Sequence, residues 1–338
     1  MKVFPSKLAL VSSFCLVFIC AAAAQGQSLQ TIQAPLPPGL ETVEFFSPAV
    51  NRMMKFDIVF PAGYWESEKR YSVLYLLHGY MQNYTVWARN LPGAFYSRNL
   101  DNLILVLPDG GNSWFVNFAQ NEGGQTNNWE DHIIEDVIGY VDKNFRTEAR
   151  REGRAISGLS MGGFGAFALG LRHPEMFVSI GSTSGALSYA RSSGSAIALG
   201  LAPQAQNRER SLEDEARLAE ADLFISGIIN IDNFSTQDER TPRGTAFVTE
   251  DQAKAYDPFE IIYSVPKSQM PHIYIDSGTE DGLISDAREM AQLLMINDVP
   301  FDFMQSSGRH NSEFWRRSIG HMMTIQHEVM QRALGNRP

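Results

Sequence analysis

Short, wholly apolar runs alternate along this chain with stretches whose apolar residues recur at helical spacing, and no other feature limits its fold so tightly. Val73 to Leu77 and Leu103 to Leu107 lack the polar alternation of a half-exposed strand. Each therefore reads as a strand covered on both faces, as in a parallel sheet. Between Trp129 and Phe145, the residues Ile133, Ile134, Val137, Ile138 and Val141 form one helical stripe. Residues 42 to 60 read as opening strands, and Phe177 to Gly181, His272 to Ser277 and Phe301 to Gln305 as later ones. The last two are followed by helices at 285 to 297 and 313 to 334. The expected fold class is α/β, a mostly parallel central sheet with helices on both faces.

Residues 186 to 254 break the alternation. They begin rich in Ser, Gly and Ala, pass through the charged stretch Glu209 to Asp222 and offer no clear strand. An insertion of this length inside an alternating fold is usually functional or disordered. It falls between two strands whose ends should flank a site, and it is expected to be a lid.

Gly158-Leu159-Ser160-Met161-Gly162 lies where the apolar Ala155-Ile156 meets the helical stretch Gly163 to Leu171, which His173-Pro174 ends. This is the spelling of a nucleophile elbow. A serine on a sharp strand-to-helix turn projects its hydroxyl clear of the sheet, and small neighbours are needed because backbones crowd there.

The first 24 residues carry Lys2 and Lys7, then an apolar stretch from Leu8 that ends in Ala21-Ala22-Ala23-Ala24. That order is expected of a cleavable signal peptide, with residues 25 to 338 as the domain, and of a periplasmic or secreted location. Both cysteines, Cys15 and Cys20, fall inside it, so disulfides are not expected to stabilise the exported form. Setting aside the two lysines leaves 26 of the 28 basic residues against 38 acidic ones, a net charge of about −12. Such a surface repels nucleic acid and anionic lipid, and no other apolar run is long enough to span a bilayer, so neither nucleic acid nor stable membrane insertion after signal cleavage is expected.

Acyl transfer by a serine needs a base, an acid to hold that base in the right tautomer, and donors for an oxyanion. Of the seven histidines, His310 stands apart, because it lies in a loop after the last expected strand, where α/β sheets place their sites. Three carboxylates compete at the end of the preceding strand: Asp276, Glu280 and Asp281. Asp281, in the turn before Gly282, is the best placed to reach the next loop. His78-Gly79-Tyr80 follows the strand Val73 to Leu77, and the backbone N–H of Tyr80 could pair with that of Met161 to bind an oxyanion. His78 itself is expected to shape that loop. Trp87 and Trp114, with Tyr80, are candidate substrate contacts and equally good core residues.

Leu76-Leu77-His78-Gly79, Leu107-Pro108-Asp109-Gly110-Gly111-Asn112-Ser113-Trp114, the elbow through Gly163, Gly278-Thr279-Glu280-Asp281 and Gly308-Arg309-His310 with Trp315 occur in that order. Together they resemble the esterase family that contains S-formylglutathione hydrolases, feruloyl and acetyl-xylan esterases and mycolyltransferases. The resemblance covers roughly residues 40 to 330 apart from the insertion. It implies the α/β-hydrolase fold, with Ser160, Asp281 and His310 at the nucleophile, acid and base positions, and no metal or organic cofactor. It further implies an exported serine esterase acting on a small-molecule or carbohydrate ester. The alternatives are an acyltransferase on the same triad, or a non-catalytic binding module on the same fold.

Overall fold

The computed structural model describes residues 37–200 and 241–336. The signal peptide expected over residues 1–24, and residues 201–240 of the expected lid, lie outside the described residues.

The main sheet has eight strands: β1 Leu40–Ser47, β2 Arg52–Val59, β3 Ser72–Leu77, β4 Leu103–Pro108, β6 Arg154–Leu159, β7 Ser179–Thr183, β9 His272–Gly278 and β10 Phe301–Ser306. Their order across the sheet is β1-β2-β4-β3-β6-β7-β9-β10. Only β1 against β2 and β2 against β4 are antiparallel, and every other neighbouring pair is parallel. The minor strands β5 Gln120–Asn121 and β8 Gly244–Thr245 pair separately.

The wholly apolar runs sit where their composition places them. In β3, Val73, Tyr75 and Leu77 pack into the core on one face, while Leu74 and Leu76 pack into the core on the other, the period-two alternation of a strand buried on both sides. Helices follow most strands: α1 Gly93–Arg98, α2 Trp129–Asp131, α3 Ile138–Asn144, α4 Met161–Arg172, α5 Tyr189–Ala198, α6 Glu250–Lys254, α7 Pro258–Ile261, α8 Ile284–Ile296 and α9 Ser312–Ala333. The single helix expected over 129 to 145 contains a π-helical stretch, His132–Val137. There the buried His132 reaches Ser47 Oγ at 2.8 Å and the Asp109 carbonyl at 3.0 Å.

The strand expected at Phe177 to Gly181 runs instead from Ser179 to Thr183. Its last residues are polar, which hid them from a hydrophobicity pattern, but they pair Ser182 with Gly158 and Thr183 with Leu159 at the edge of the elbow. The expected lid is partly built into the body. On one side of residues 201–240, α5 packs Gly194 against Ala253 of α6. On the other, Gly244 and Thr245 form β8, a short strand the sequence pattern missed, paired to Asn121 and Gln120.

Candidate active site

Ser160 stands between β6 and α4 with φ +53° and ψ −116°, a conformation that costs a residue with a side chain of order 1–3 kcal/mol. The surroundings hold it there. Its N–H donates to the Thr183 carbonyl at 3.1 Å, and its carbonyl accepts from Phe164 at 3.1 Å and Ala186 at 3.2 Å. The glycines are required by close approach. A Cβ on Gly158 would lie 2.3 Å from the Gly162 backbone, and one on Gly162 would lie 2.5 Å from the His78 carbonyl oxygen.

The loop after β10 brings His310 to this serine. His310 Nε2 is 3.0 Å from Ser160 Oγ, and Nδ1 is 3.0 Å from Asp281 Oδ2 and 3.2 Å from Oδ1. The imidazole packs edge-on against Trp315, ring centroids 5.2 Å apart. Asn311 caps α9 by accepting from the Phe314 N–H at 3.2 Å, which fixes where the loop ends and the helix begins. The Asp281 side chain is fully buried. Burial alone would raise its pKa, but the hydrogen bond and charge of His310, with the Leu283 N–H, hold it below the ordinary carboxylate value.

Of the other two carboxylates, Glu280 is exposed and bonds to Thr279 and Gly308. Its Oε2 accepts from the Gly308 N–H at 2.5 Å, and its own N–H donates to the Gly308 carbonyl at 2.9 Å, so it fastens the histidine loop. The Gly308 N–H lowers its pKa. Asp276 is wholly buried among the hydroxyls of Thr183, Tyr274 and Ser318. Burial pushes its carboxyl up to about 7, the three hydroxyls oppose the rise, and the charge of Asp281 adds to it.

A carboxyl raised in the folded state above its unfolded value of about 3.9 binds more protons folded than unfolded. The stability it contributes is full below about pH 4 and lost as pH climbs towards 7. Asp276→Asn, which cannot ionise, should flatten that fall when urea midpoints are compared with wild type across pH 4 to 7. Parallel curves for the two proteins would mean that Asp276 is already ionised throughout.

The His78 loop lies against the elbow. His78 is buried, with Nε2 accepting from the Gly110 N–H at 2.9 Å, so Nδ1 carries the proton and donates to the Gly79 carbonyl at 2.8 Å. Both ring nitrogens are thus engaged by backbone, and His78 shapes the loop. On either side of Tyr80, the Gly79 N–H donates to Gln82 Oε1 at 2.8 Å and the Met81 N–H to Asn112 Oδ1 at 2.7 Å. Met161 opens α4, so its N–H has no carbonyl one turn back to bond.

A cleft of about 340 Å³ opens beside this loop, lined by Tyr80, Trp114, Tyr189, Ile197 and Phe247 among others. Trp114 stacks flat on Tyr189, centroids 3.6 Å apart and planes 1° from parallel. Trp114 and Phe115 have φ of +60° and +59°, and the Phe115 ring occupies space that a Cβ on Gly110 or Gly165 would fill. That turn aims Trp114 outward. Trp87 corrects the expectation of a substrate contact: it is 0% exposed in the core, where its indole N–H donates to the Leu77 carbonyl at 3.0 Å.

Three contributors escaped the sequence reading. Asn112 bridges the Met81 N–H to Thr241 Oγ1, and Tyr189 supplies half of the aromatic wall. Thr183 anchors Ser160. Asn112 lies in the segment Leu107 to Trp114 that resembles the esterase family, and nothing in composition or period singles out the other two.

Among the described residues, no group of three or more His, Cys, Asp or Glu stands close enough to hold a metal ion, and no helix is long and apolar enough to cross a membrane.

The chain is 33% identical over 158 residues to Esterase MT1326 of Mycobacterium tuberculosis, 46% of this chain and 34% of that protein. It is 33% identical over 156 residues to an endo-1,4-beta-xylanase/feruloyl esterase of Xylanibacter ruminicola, 43% of this chain and 21% of that protein. To the diacylglycerol acyltransferase/mycolyltransferase Ag85A of Mycobacterium bovis it is 32% identical over 174 residues, 49% of this chain and 48% of the relative. The matches span less than half the length of each of these relatives. Among solved structures, the fluorophosphonate-binding serine hydrolase F of Staphylococcus aureus superposes with a TM-score of 0.61 at 20% identity, covering 85% of this chain and 98% of that one. The fold is that of the α/β hydrolases. The Esterase family model matches residues 47–324, from the end of β1 into the second half of α9. That span takes in Ser160, Asp281 and His310, and the chain belongs to the Esterase family.

Proposed function

We propose that this protein is a serine carboxylic-ester hydrolase that works through an acyl-enzyme. The observation that carries the reading is His310, with one ring nitrogen 3.0 Å from Ser160 Oγ and the other 3.0 Å from Asp281. In the first half-reaction, Ser160 Oγ attacks the ester carbonyl while His310 Nε2 takes its proton. The imidazolium then returns that proton to the leaving alkoxide. In the second, His310 removes a proton from water, the hydroxide attacks the acyl-enzyme, and Ser160 leaves with the proton restored. Asp281 holds Nδ1 protonated, so that Nε2 is bare and able to accept. The N–H groups of Tyr80 and Met161 receive the oxyanion of each tetrahedral intermediate.

A panel of p-nitrophenyl esters of increasing acyl length, run beside feruloyl, acetyl-sugar and thioester substrates, tests the activity. A fluorophosphonate tests the nucleophile. Turnover of none of these esters, with no label on Ser160, would reject the reading. An acyltransferase is the second possibility, favoured by the similarity to Ag85A. Product analysis with an added acceptor alcohol separates the two, because only transfer yields a new ester.

The substrate side is read from the cleft walled by Trp114 and Tyr189, whose flat faces and apolar surroundings suit an aromatic or sugar ring in the ester. Trp114→Ala should raise KM for feruloyl or acetyl-sugar esters by about tenfold, a loss of about 1.4 kcal/mol in binding. Hydrolysis of ethyl acetate, which carries no ring, should hardly change. Equal effects on both kinds of ester would remove the cleft from substrate recognition.

Residues 186–254 are proposed to close over this cleft as a lid, since α5 and β8 contribute to its wall. Export belongs to the same reading, on the charged, apolar and small-residue order of residues 1–24.

A further inference from the structure

We propose that Asp276 is the positioning residue of the site, its buried carboxyl tying together the three segments that carry Ser160, Asp281 and His310. This rests on the acyl-enzyme reading above. Asp276 lies in β9, directly across from Thr183 of β7. Thr183 donates its hydroxyl to Asp276 Oδ1, and the Thr183 carbonyl accepts the Ser160 N–H at 3.1 Å, so the carboxyl reaches the nucleophile through one intervening residue. Ser318 of α9 joins this cluster through Thr183, its Oγ 3.2 Å from Thr183 Oγ1. That helix begins two residues beyond His310. Tyr274, on the strand itself, donates its hydroxyl to Oδ2 at 2.8 Å.

The third segment is continuous with Asp276. Its backbone carbonyl accepts the Ser184 N–H at 2.9 Å, and β9 runs on to Gly278 and the Asp281 turn. Gly278 packs so closely on the histidine loop that a Cβ there would lie 2.2 Å from the Gly308 carbonyl oxygen. The strand end that bears the acid and the loop that bears the base therefore move together.

An apolar side chain would close the core at this point more cheaply than a carboxyl, because a buried polar group costs free energy unless it is bonded. It would also leave the Thr183 and Tyr274 hydroxyls without their partner. The carboxyl meets both, and because hydroxyls both donate and accept, the bonds persist whether it is ionised or neutral. The groups facing it are Thr183 from β7, Tyr274 from its own strand and Ser318 from α9, and the acidic charge acting on it is that of Asp281. A neutral Asp side chain and an Asn side chain have the same shape. The amide of Asp276→Asn can accept through its carbonyl and donate through its NH₂, whereas Asp276→Ala makes no side-chain bond.

A misplacement of about 1 Å in a catalytic geometry can cost about 10²-fold in rate. Asp276→Ala, confirmed folded by circular dichroism, should lower kcat on p-nitrophenyl acetate by about that factor, with KM nearly unchanged. It should slow fluorophosphonate labelling of Ser160 in parallel. Asp276→Asn should restore kcat and the labelling rate to within about fivefold of wild type, roughly 1 kcal/mol in barrier height.

A merely structural role would lower the melting temperature of Asp276→Ala and leave kcat per folded molecule alone, and that result overturns the proposal. So does an Asn variant no better than the Ala variant. If the Ala variant does not fold, Thr183→Val and Ser318→Ala each loosen one tie with Asp276 in place, and either should lower kcat severalfold at constant KM. Wild-type kcat in both of those folded variants also overturns it. Wild type that neither turns over esters nor takes the label marks failure of the acyl-enzyme reading instead.

Discussion

Replacing Ser160 by Ala is expected to lower kcat on a p-nitrophenyl ester by about 10⁶-fold and to abolish labelling by a fluorophosphonate, while the protein still folds. On the acyl-enzyme reading the loss is this large because the hydroxyl is the atom that would bond to the substrate, and the remaining His310 and Asp281 would have nothing to activate. Folding survives because alanine keeps the same Cβ, and the backbone bonds from Thr183, Phe164 and Ala186 do not involve the hydroxyl. The strain at φ +53° also survives in Ser160→Ala. Ser160→Gly, equally inactive, relieves it and should therefore melt above Ser160→Ala. Calorimetry on the two inactive variants reads that difference. A folded Ser160→Ala protein that keeps measurable turnover would take the nucleophile away from the elbow.

The sheet was legible because burial on both faces leaves its mark in composition, and the turn at Ser160 because small residues are spelled out between an apolar run and a helical stretch. Val73 to Leu77 and Leu103 to Leu107 carry no polar residue, and such runs have few other places to go. His310 was legible for a different reason, its position after the last strand, where the fold gathers its loops. The polar residues that finish the site were not. Ser182 and Thr183 end a strand with hydroxyls, and only the register against Gly158 and Leu159 makes them strand. Asn112 takes its meaning from Met81 and Thr241, 31 and 129 residues away, a separation that no local pattern records. Trp87 and Trp114 look alike as letters. One points under the sheet and donates to Leu77, the other is turned out by two consecutive left-handed residues, and that choice is made by the backbone of a loop.

Asp281→Asn is expected to lower kcat by roughly 10³ to 10⁴-fold with the protein folded. Both carboxylate oxygens of Asp281 lie within 3.2 Å of His310 Nδ1, and Oδ1 also accepts the Leu283 N–H at 2.8 Å. In the Asn variant the Leu283 N–H claims the side-chain carbonyl oxygen, which turns the amide NH₂ towards Nδ1. A donor facing Nδ1 favours the imidazole tautomer with the proton on Nε2. That nitrogen then donates to Ser160 Oγ and cannot take its proton. Glu280→Gln should cost less than about tenfold, since Gln keeps an oxygen for the Gly308 N–H and the charge removed is exposed and screened. Steady-state kinetics on the two purified variants, with a fluorophosphonate titration to count competent sites, compares them directly. A large loss of kcat at Glu280 with Asp281→Asn near wild type would move the acid to Glu280, and would require the histidine loop to adopt a different arrangement in the working enzyme.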